Sequence, residues 1–221
     1  MKTIKILHLY YDLMNLSGED GNMVAIRDYL DNQSVKYQID RLSIGDKIDF
    51  NKYSFIYIGN GSRENQELAR KDILKYKYQI KKIFKDKLIL ATGNSFELFG
   101  STIDNKECLN LLPIKTMYLK NYVVEEKVIE NNEFLNSPII AFINRNSEAK
   151  IKSNEFINKD GIHINNFYGT YFLGPLLIRN PYVLNRFMEK LFIANDIKIK
   201  NDYKNVDILA YNEYIKRTSK K

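Results

Sequence analysis

The feature that most constrains this chain is a repeated alternation of short β-prone apolar runs with helical stripes. "IKILHLY" (Ile4 to Tyr10), "YQIDRL" (Tyr37 to Leu42), "FIYIG" (Phe55 to Gly59) and "LILA" (Leu88 to Ala91) read as strands. Between them, Met23, Ile26 and Leu30 share one side of a helix from about Asn22 to Asp31, and Ile73, Tyr76, Ile80 and Phe84 one side of a second, over Arg70 to Lys87. Strand and helix in alternation predict a mostly parallel sheet with helices on both faces. Right-handed crossovers then gather the loops at the carboxyl ends of the strands along one edge, where ligands bind.

After Gly100 the pattern changes. "IKTMYLKNYVVEEKVIE" and "PIIAFINRN" read as strands with no long helix between them, which predicts a mixed or antiparallel extension. "NNFYGTYFLGPLLIRNPYVLNRFMEKLFIAND" gives a short strand, a Gly-Pro turn and a last helix. Asn180 is the expected cap of that helix, and Pro181 suits its first position. Its stripe of Val183, Leu184, Phe187, Met188, Leu191 and Phe192 is core. No repeat, linker or boundary divides residues 1–221, so one domain is expected, with a tail frayed from about residue 214 to 221.

Charge and cysteine use narrow the function classes. The net charge of +7 invites a nucleic-acid reading, but the 34 basic residues are spread among 27 acids. The one dense run, Arg70 to Lys87, is the polar side of the second helix, so nucleic acid is not the expected partner. No apolar run is long enough to cross a bilayer, and "MKTIKILHLYYDLMN" reads as a first strand instead of a signal peptide. The single cysteine, Cys108, permits no internal disulfide and no cysteine-based zinc site, and a reducing cytoplasm fits it. Two histidines and scattered acids have no metal-ligand spacing, and no P-loop or dinucleotide fingerprint occurs; no metal or cofactor is expected.

Three segments put glycines directly after a buried strand: "YIGNGSRENQE" (Tyr57 to Glu67), "LATGNSFELFG" (Leu90 to Gly100) and "GTYFLGPLLIRNP" (Gly169 to Pro181). Glycine there lets backbone amides approach a ligand. Together with the opening "HLYYDLMNLSGEDGNM", these segments resemble, in the same order, motifs of the class I glutamine amidotransferases of the CobB/CobQ-like branch, and most closely the amidotransferase subunits of lipid II isoglutaminyl synthases. The likeness runs from about residue 6 to 185. It implies a flavodoxin-like class I glutamine amidotransferase fold. In that family a cysteine on a strand-turn elbow attacks the glutamine amide, a histidine handles the proton, and backbone amides of a glycine loop hold the oxyanion. The ammonia passes to an ATP-dependent ligase partner that resembles a Mur ligase.

Carried over residue by residue, the resemblance puts the family's cysteine on Gly93 and its histidine on Leu173, neither with a gap. Asn60 replaces a glycine of the loop Gly59-Asn60-Gly61, Asn94 and Ser95 replace the glycines after the nucleophile, and Glu97 replaces a glutamine. The arginine that grips the glutamine carboxylate falls near Tyr118, which puts glutamine binding in doubt. Removing a covalent nucleophile costs on the order of a millionfold in turnover. The expectation is therefore a pseudoenzyme with a vestigial pocket at Gly59, Asn60, Gly61, Asn94, Ser95 and Tyr118, acting as scaffold or regulator of a Mur-ligase-like partner.

Two alternatives stay open on the sequence. One is an active amidotransferase or hydrolase with an unconventional nucleophile, for which Ser95 half-matches the G-x-S-x-G elbow; Ser95 also suits a cap for a helix starting at Phe96. The other is a basic nucleic-acid-binding module. Cys108, beside Leu109 and Leu111, reads as a small buried hydrophobe, and His8 as a structural strand residue. His163 is either an exposed loop residue or a surrogate base on a neighbouring strand or hairpin.

Overall fold

The computed structural model describes residues 3–130, 134–151, 153–154, 156–199 and 207–218. Its main sheet contains β1 (Ile4–Leu9), β2 (Tyr37–Leu42), β3 (Phe55–Ile58), β4 (Leu88–Thr92), β9 (Gly161–Ile164) and β10 (Phe167–Thr170), in the order β2-β1-β3-β4-β10-β9. All neighbours are parallel except the β9–β10 hairpin. Every residue of β3 and β4 is buried, as expected of central parallel strands covered on both faces.

Helix α1 (Asp20–Asn32) joins β1 to β2, while α2 (Arg63–Ile73) and α3 (Lys77–Ile83) join β3 to β4, stepping the other way across the sheet. Right-handed crossovers therefore set α1 on the face opposite α2 and α3. α1 packs against α4 (Leu176–Arg179) and α5 (Pro181–Ile193). The order reverses between β2-β1 and β1-β3, so the loops leaving β1, β3 and β4 meet at a switch point. Among the described residues, no helix is long and apolar enough to cross a membrane.

The expected extension is a second, mixed sheet in the order β6-β5-β7-β8, from β5 (Thr102–Ile103), β6 (Lys106–Glu107), β7 (Lys115–Ile129) and β8 (Ile139–Lys150). β7 and β8 form a long antiparallel ribbon. Its β8 strand is strapped to the segment after β10 by the Ile143–Phe172 bridge and by Leu173 N–H donating to Phe142 O at 2.8 Å.

Four local expectations change. Arg70 to Lys87 is not one helix: a 3₁₀ turn at Leu74–Tyr76 separates α2 from α3. Tyr76 is held there by tertiary contacts, its ring 5.4 Å from that of Phe50 and its hydroxyl donating to Asp46 O at 2.9 Å. Asn180 does not cap α5 with its side chain. It sits buried beside β8, where its Oδ1 accepts from Ile140 N–H at 2.8 Å and its Nδ2 donates to Ile140 O at 3.0 Å. Ser95 does not cap a helix at Phe96, because β4 runs straight into a 3₁₀ turn over Gly93–Phe99. Residues 214–218 do not fray but complete α6 (Asp207–Thr218), with Tyr214 OH donating to Glu126 Oε1 at 2.8 Å; residues 219–221 lie outside the described residues.

Candidate functional site

The site is built around the bend where β4 ends. Gly93 has φ +62°, the left-handed conformation in which a strand-turn elbow projects its central residue. A Cβ added there would land on the Cβ, Cγ and Oδ1 of Asn60, in the loop after β3. The side chain of Asn60 thus occupies the volume that a residue at the bend would need.

An elbow of this kind offers two backbone donors to a developing oxyanion: the N–H just past the bend and one from the loop after the facing strand. Both are occupied. Asn94 N–H donates to Asn60 Oδ1 at 3.0 Å, and Gly61 N–H donates to Asn94 Oδ1 at 3.1 Å. The lock closes with Asn94 Nδ2 donating to Gly61 O at 2.9 Å and Asn60 Nδ2 donating to Ser17 Oγ at 3.2 Å. The two asparagines cross-tie the loops and leave neither donor pointing at a vacant position.

Two buried carboxylates brace the same edge. Glu19, after β1, accepts from Tyr57 OH at 2.5 Å, Thr92 Oγ1 at 2.6 Å and Gly174 N–H at 2.9 Å, so it pins β3, β4 and the segment after β10 to one point. Glu97 accepts from Gln66 Nε2 at 2.7 Å, Ser147 Oγ at 2.6 Å and Tyr171 OH at 2.7 Å. Burial pushes both carboxyls above their ordinary range, while the donors around them pull the other way. The turn approaches the sheet closely at Gly169, where a Cβ would strike Phe96.

In front of the bend lies a cavity of about 690 Å³. It is lined by Asn60, Gly61, Gly93 and Asn94 at the bend and the loop facing it, by Tyr171 and Leu173 after β10, and by residues of the β7–β8 ribbon. There the register jumps: Tyr118 pairs with Ser147 and Val123 with Arg145, so residues 119–122 stand opposite Asn146 alone. Such a bulge re-aims side chains, and here Leu119, Lys120 and Tyr122 line the cavity. Arg63 and Arg145 add two more cations, against Glu64 as the one lining acid among the described residues.

The structure thus brings together Gly61, Asn60, Asn94, Gly93 and Leu173 in one cavity. Gly59 lies behind it, where a Cβ would meet Met14 O and Glu19. Ser95 is fully buried beneath it, its hydroxyl within 2.8 Å of Thr92 O and 3.0 Å of Ile58 O. Tyr118 stands outside the lining and supports it, with the Arg63 guanidinium 3.8 Å from its ring centre. Cys108 is buried and its thiol is pushed up to about 11, mainly by burial. His8 is buried in β1, and His163 sits on the β9–β10 hairpin stacked 4.2 Å from Tyr168; neither lines the cavity. Among the described residues, no cluster of three His, Cys, Asp or Glu could hold a metal ion.

Sequence reasoning missed Arg63, Lys120, Arg145, Glu19 and the role of Glu97. Glu19 carried a local signal, lying in the glycine-rich loop after the first strand. Arg63 also carried one, lying in the glycine-loop segment after β3, while Lys120 and Arg145 carried none, since strand pairing and the bulge bring them together.

No family model matches the chain. It is 27% identical over 208 residues to the lipid II isoglutaminyl synthase (glutamine-hydrolyzing) subunit GatD of Staphylococcus aureus (strain N315), covering 86% of this chain and 85% of that protein. It is 25% identical over 203 residues to the corresponding GatD subunit of Streptococcus pneumoniae (strain ATCC BAA-255 / R6), covering 83% and 78%. A solved glutamine amidotransferase structure superposes with a TM-score of 0.53 at 11% identity, over 86% of this chain and 99% of that one, a likeness of fold.

Proposed function

We propose that this chain, a class I glutamine amidotransferase-like protein related to the GatD subunits, is a pseudoenzyme that scaffolds or regulates a Mur-ligase-like, ATP-dependent partner in the cytoplasm. The observation that carries the reading is the asparagine lock. The bend has no side chain to attack with, and both of its amide donors are already bonded to Asn60 and Asn94. Leu173, at the position where the resemblance expects an imidazole, can neither take nor give a proton. The relatives are named as subunits of a lipid II-modifying synthase, which supports a role beside another chain and a link to cell-wall chemistry.

Neither alternative gains from the geometry. The Ser95 hydroxyl is turned onto two backbone carbonyls and away from the cavity. The basic run on α2 and α3 is partly neutralised in place, with Arg70 on Glu67 at 2.8 Å, Lys75 on Asp72 at 2.8 Å and Lys77 on Glu107 at 2.7 Å.

The test is an ammonia-release assay with L-glutamine, run on the chain alone and with a co-purified Mur-ligase-like protein. No release above a protein-free control is expected in either case, together with co-elution of the two proteins. Sustained release would end the pseudoenzyme reading, and failure to co-elute would end the scaffold reading.

A further inference from the structure

We propose that the cavity in front of Gly93 is a binding site for a small phosphoryl-bearing anion. The proposal rests on the reading that this site does not turn glutamine over, and it concerns what occupies the site instead.

The first observation is uncompensated charge. Arg63 stacks on Tyr118 and makes no ion pair within 4 Å among the described residues, the acid acting on it being its chain neighbour Glu64, and Lys120, on the bulge, has no acid partner there. Arg145 donates from Nη1 to Ser147 O at 2.5 Å and, among the described residues, its one ion pair is with the exposed Glu148 at 3.5 Å, while its buried Nε–H has no hydrogen-bond partner. Its guanidinium carbon lies 4.7 Å from the centre of the Tyr171 ring, and both residues line the cavity. The opposing acids are already engaged. Glu64 is exposed and offsets part of the Arg63 charge beside it, and Glu97 lies behind Tyr171 and Ser147 with three donors of its own.

The second observation is shape. The bulge of β7 lies where Lys120 joins the lining, so the three cations line one concavity of about 690 Å³, within the ordinary range for small-molecule sites. Asn144 and Asn146 add neutral donors to the same wall. A phosphate monoester carries a charge of about −1.5 to −2 at neutral pH and presents three acceptor oxygens, a match for two guanidinium groups and an ammonium. A single carboxylate would leave most of that charge unanswered.

The probes are inorganic pyrophosphate, glucose 6-phosphate and ADP, with succinate as the dicarboxylate arm, each titrated calorimetrically into the full chain at low salt. At least one phosphoryl probe is expected to bind and to raise the melting temperature. Lys120→Gln, a change at an exposed bulge residue, and Arg145→Gln are each expected to weaken that binding by about tenfold or more. Lys82→Gln, on α3 and away from the cavity, should not change it. Absence of binding by every phosphoryl probe overturns the proposal. So does binding indifferent to Lys120→Gln in a protein of unchanged melting temperature, or tighter binding of succinate than of any phosphoryl probe. Ammonia release from L-glutamine, measured on the same preparation, would defeat the pseudoenzyme reading by itself and is scored separately from these titrations.

Discussion

At Gly93 a left-handed backbone and a filled neighbouring volume act together. Gly93→Cys places a Cβ both at φ +62° and on the side chain of Asn60. It is expected to cost about 1–3 kcal/mol of stability. Urea denaturation reads this as a lowered midpoint, and Asn60→Gly in the same chain should recover much of it, a coupling that a double-mutant cycle measures. Wild-type stability in Gly93→Cys would contradict the lock. The combined Asn60→Gly, Gly93→Cys, Asn94→Gly, Leu173→His variant is the one expected to gain ammonia release, since it supplies sulfur and imidazole and removes both asparagine side chains from the two amide donors.

His8 gives a prediction in pH at the same scale. Burial, the largest influence, lowers its pKa from 6.5 to about 4, so the folded state holds the ring neutral while the unfolded chain protonates it. The unfolded state then binds more protons between those values, and stability must fall as pH drops from 6.5 toward 4. In His8→Phe this part of the pH dependence should flatten in thermal melts taken across that range. A profile unchanged by the substitution would show that His8 is not the group responsible.

Among the elements, the junctions carry the consequences. Asn180 serves as a side-chain partner for the backbone of Ile140 on β8, and it is buried. Asn180→Ala leaves that N–H and C=O unpaired, at a cost of about 1–3 kcal/mol, measurable by denaturant titration. Gly169 of β10 lies where a Cβ would strike Phe96 of the 3₁₀ turn, so Gly169→Ala overpacks the contact between β10 and the bend. A loss of about 1–3 kcal/mol is expected, and a neutral result would mean that the turn can move away from the sheet. The sequence pointed to glycine at this place as a backbone approach to a ligand; the structure shows it meeting a phenylalanine.

For the whole molecule, the legible part was what local periodicity encodes. The strands expected at Phe55 to Gly59 and Leu88 to Ala91 appear at Phe55–Ile58 and Leu88–Thr92, and the stripe of α5 and the change of character after Gly100 appear as expected, because strand and helix periods are written in neighbouring residues. The break at Leu74–Tyr76 was not legible, since it depends on Phe50 and Asp46. Of the candidate site, Gly93, Asn60, Gly61, Asn94 and Leu173 share the cavity, while Ser95 and Gly59 lie behind it and Tyr118 beside it.

The sequence by itself determined the order of elements, the bare residue at the bend and the aliphatic one across from it, because identity and short-range pattern are properties of the chain as read. Only the tertiary structure decided that Asn60 and Asn94, 34 residues apart, would fill that bend and bond to its amides. It also decided that cations at positions 63, 120 and 145 would converge on one cavity. The physical reason is that the lock depends on the pairing of β3 with β4, and the approach of Lys120 and Arg145 to Arg63 depends on the β7–β8 pairing and its bulge, contacts fixed by strand pairing instead of by any neighbour in sequence.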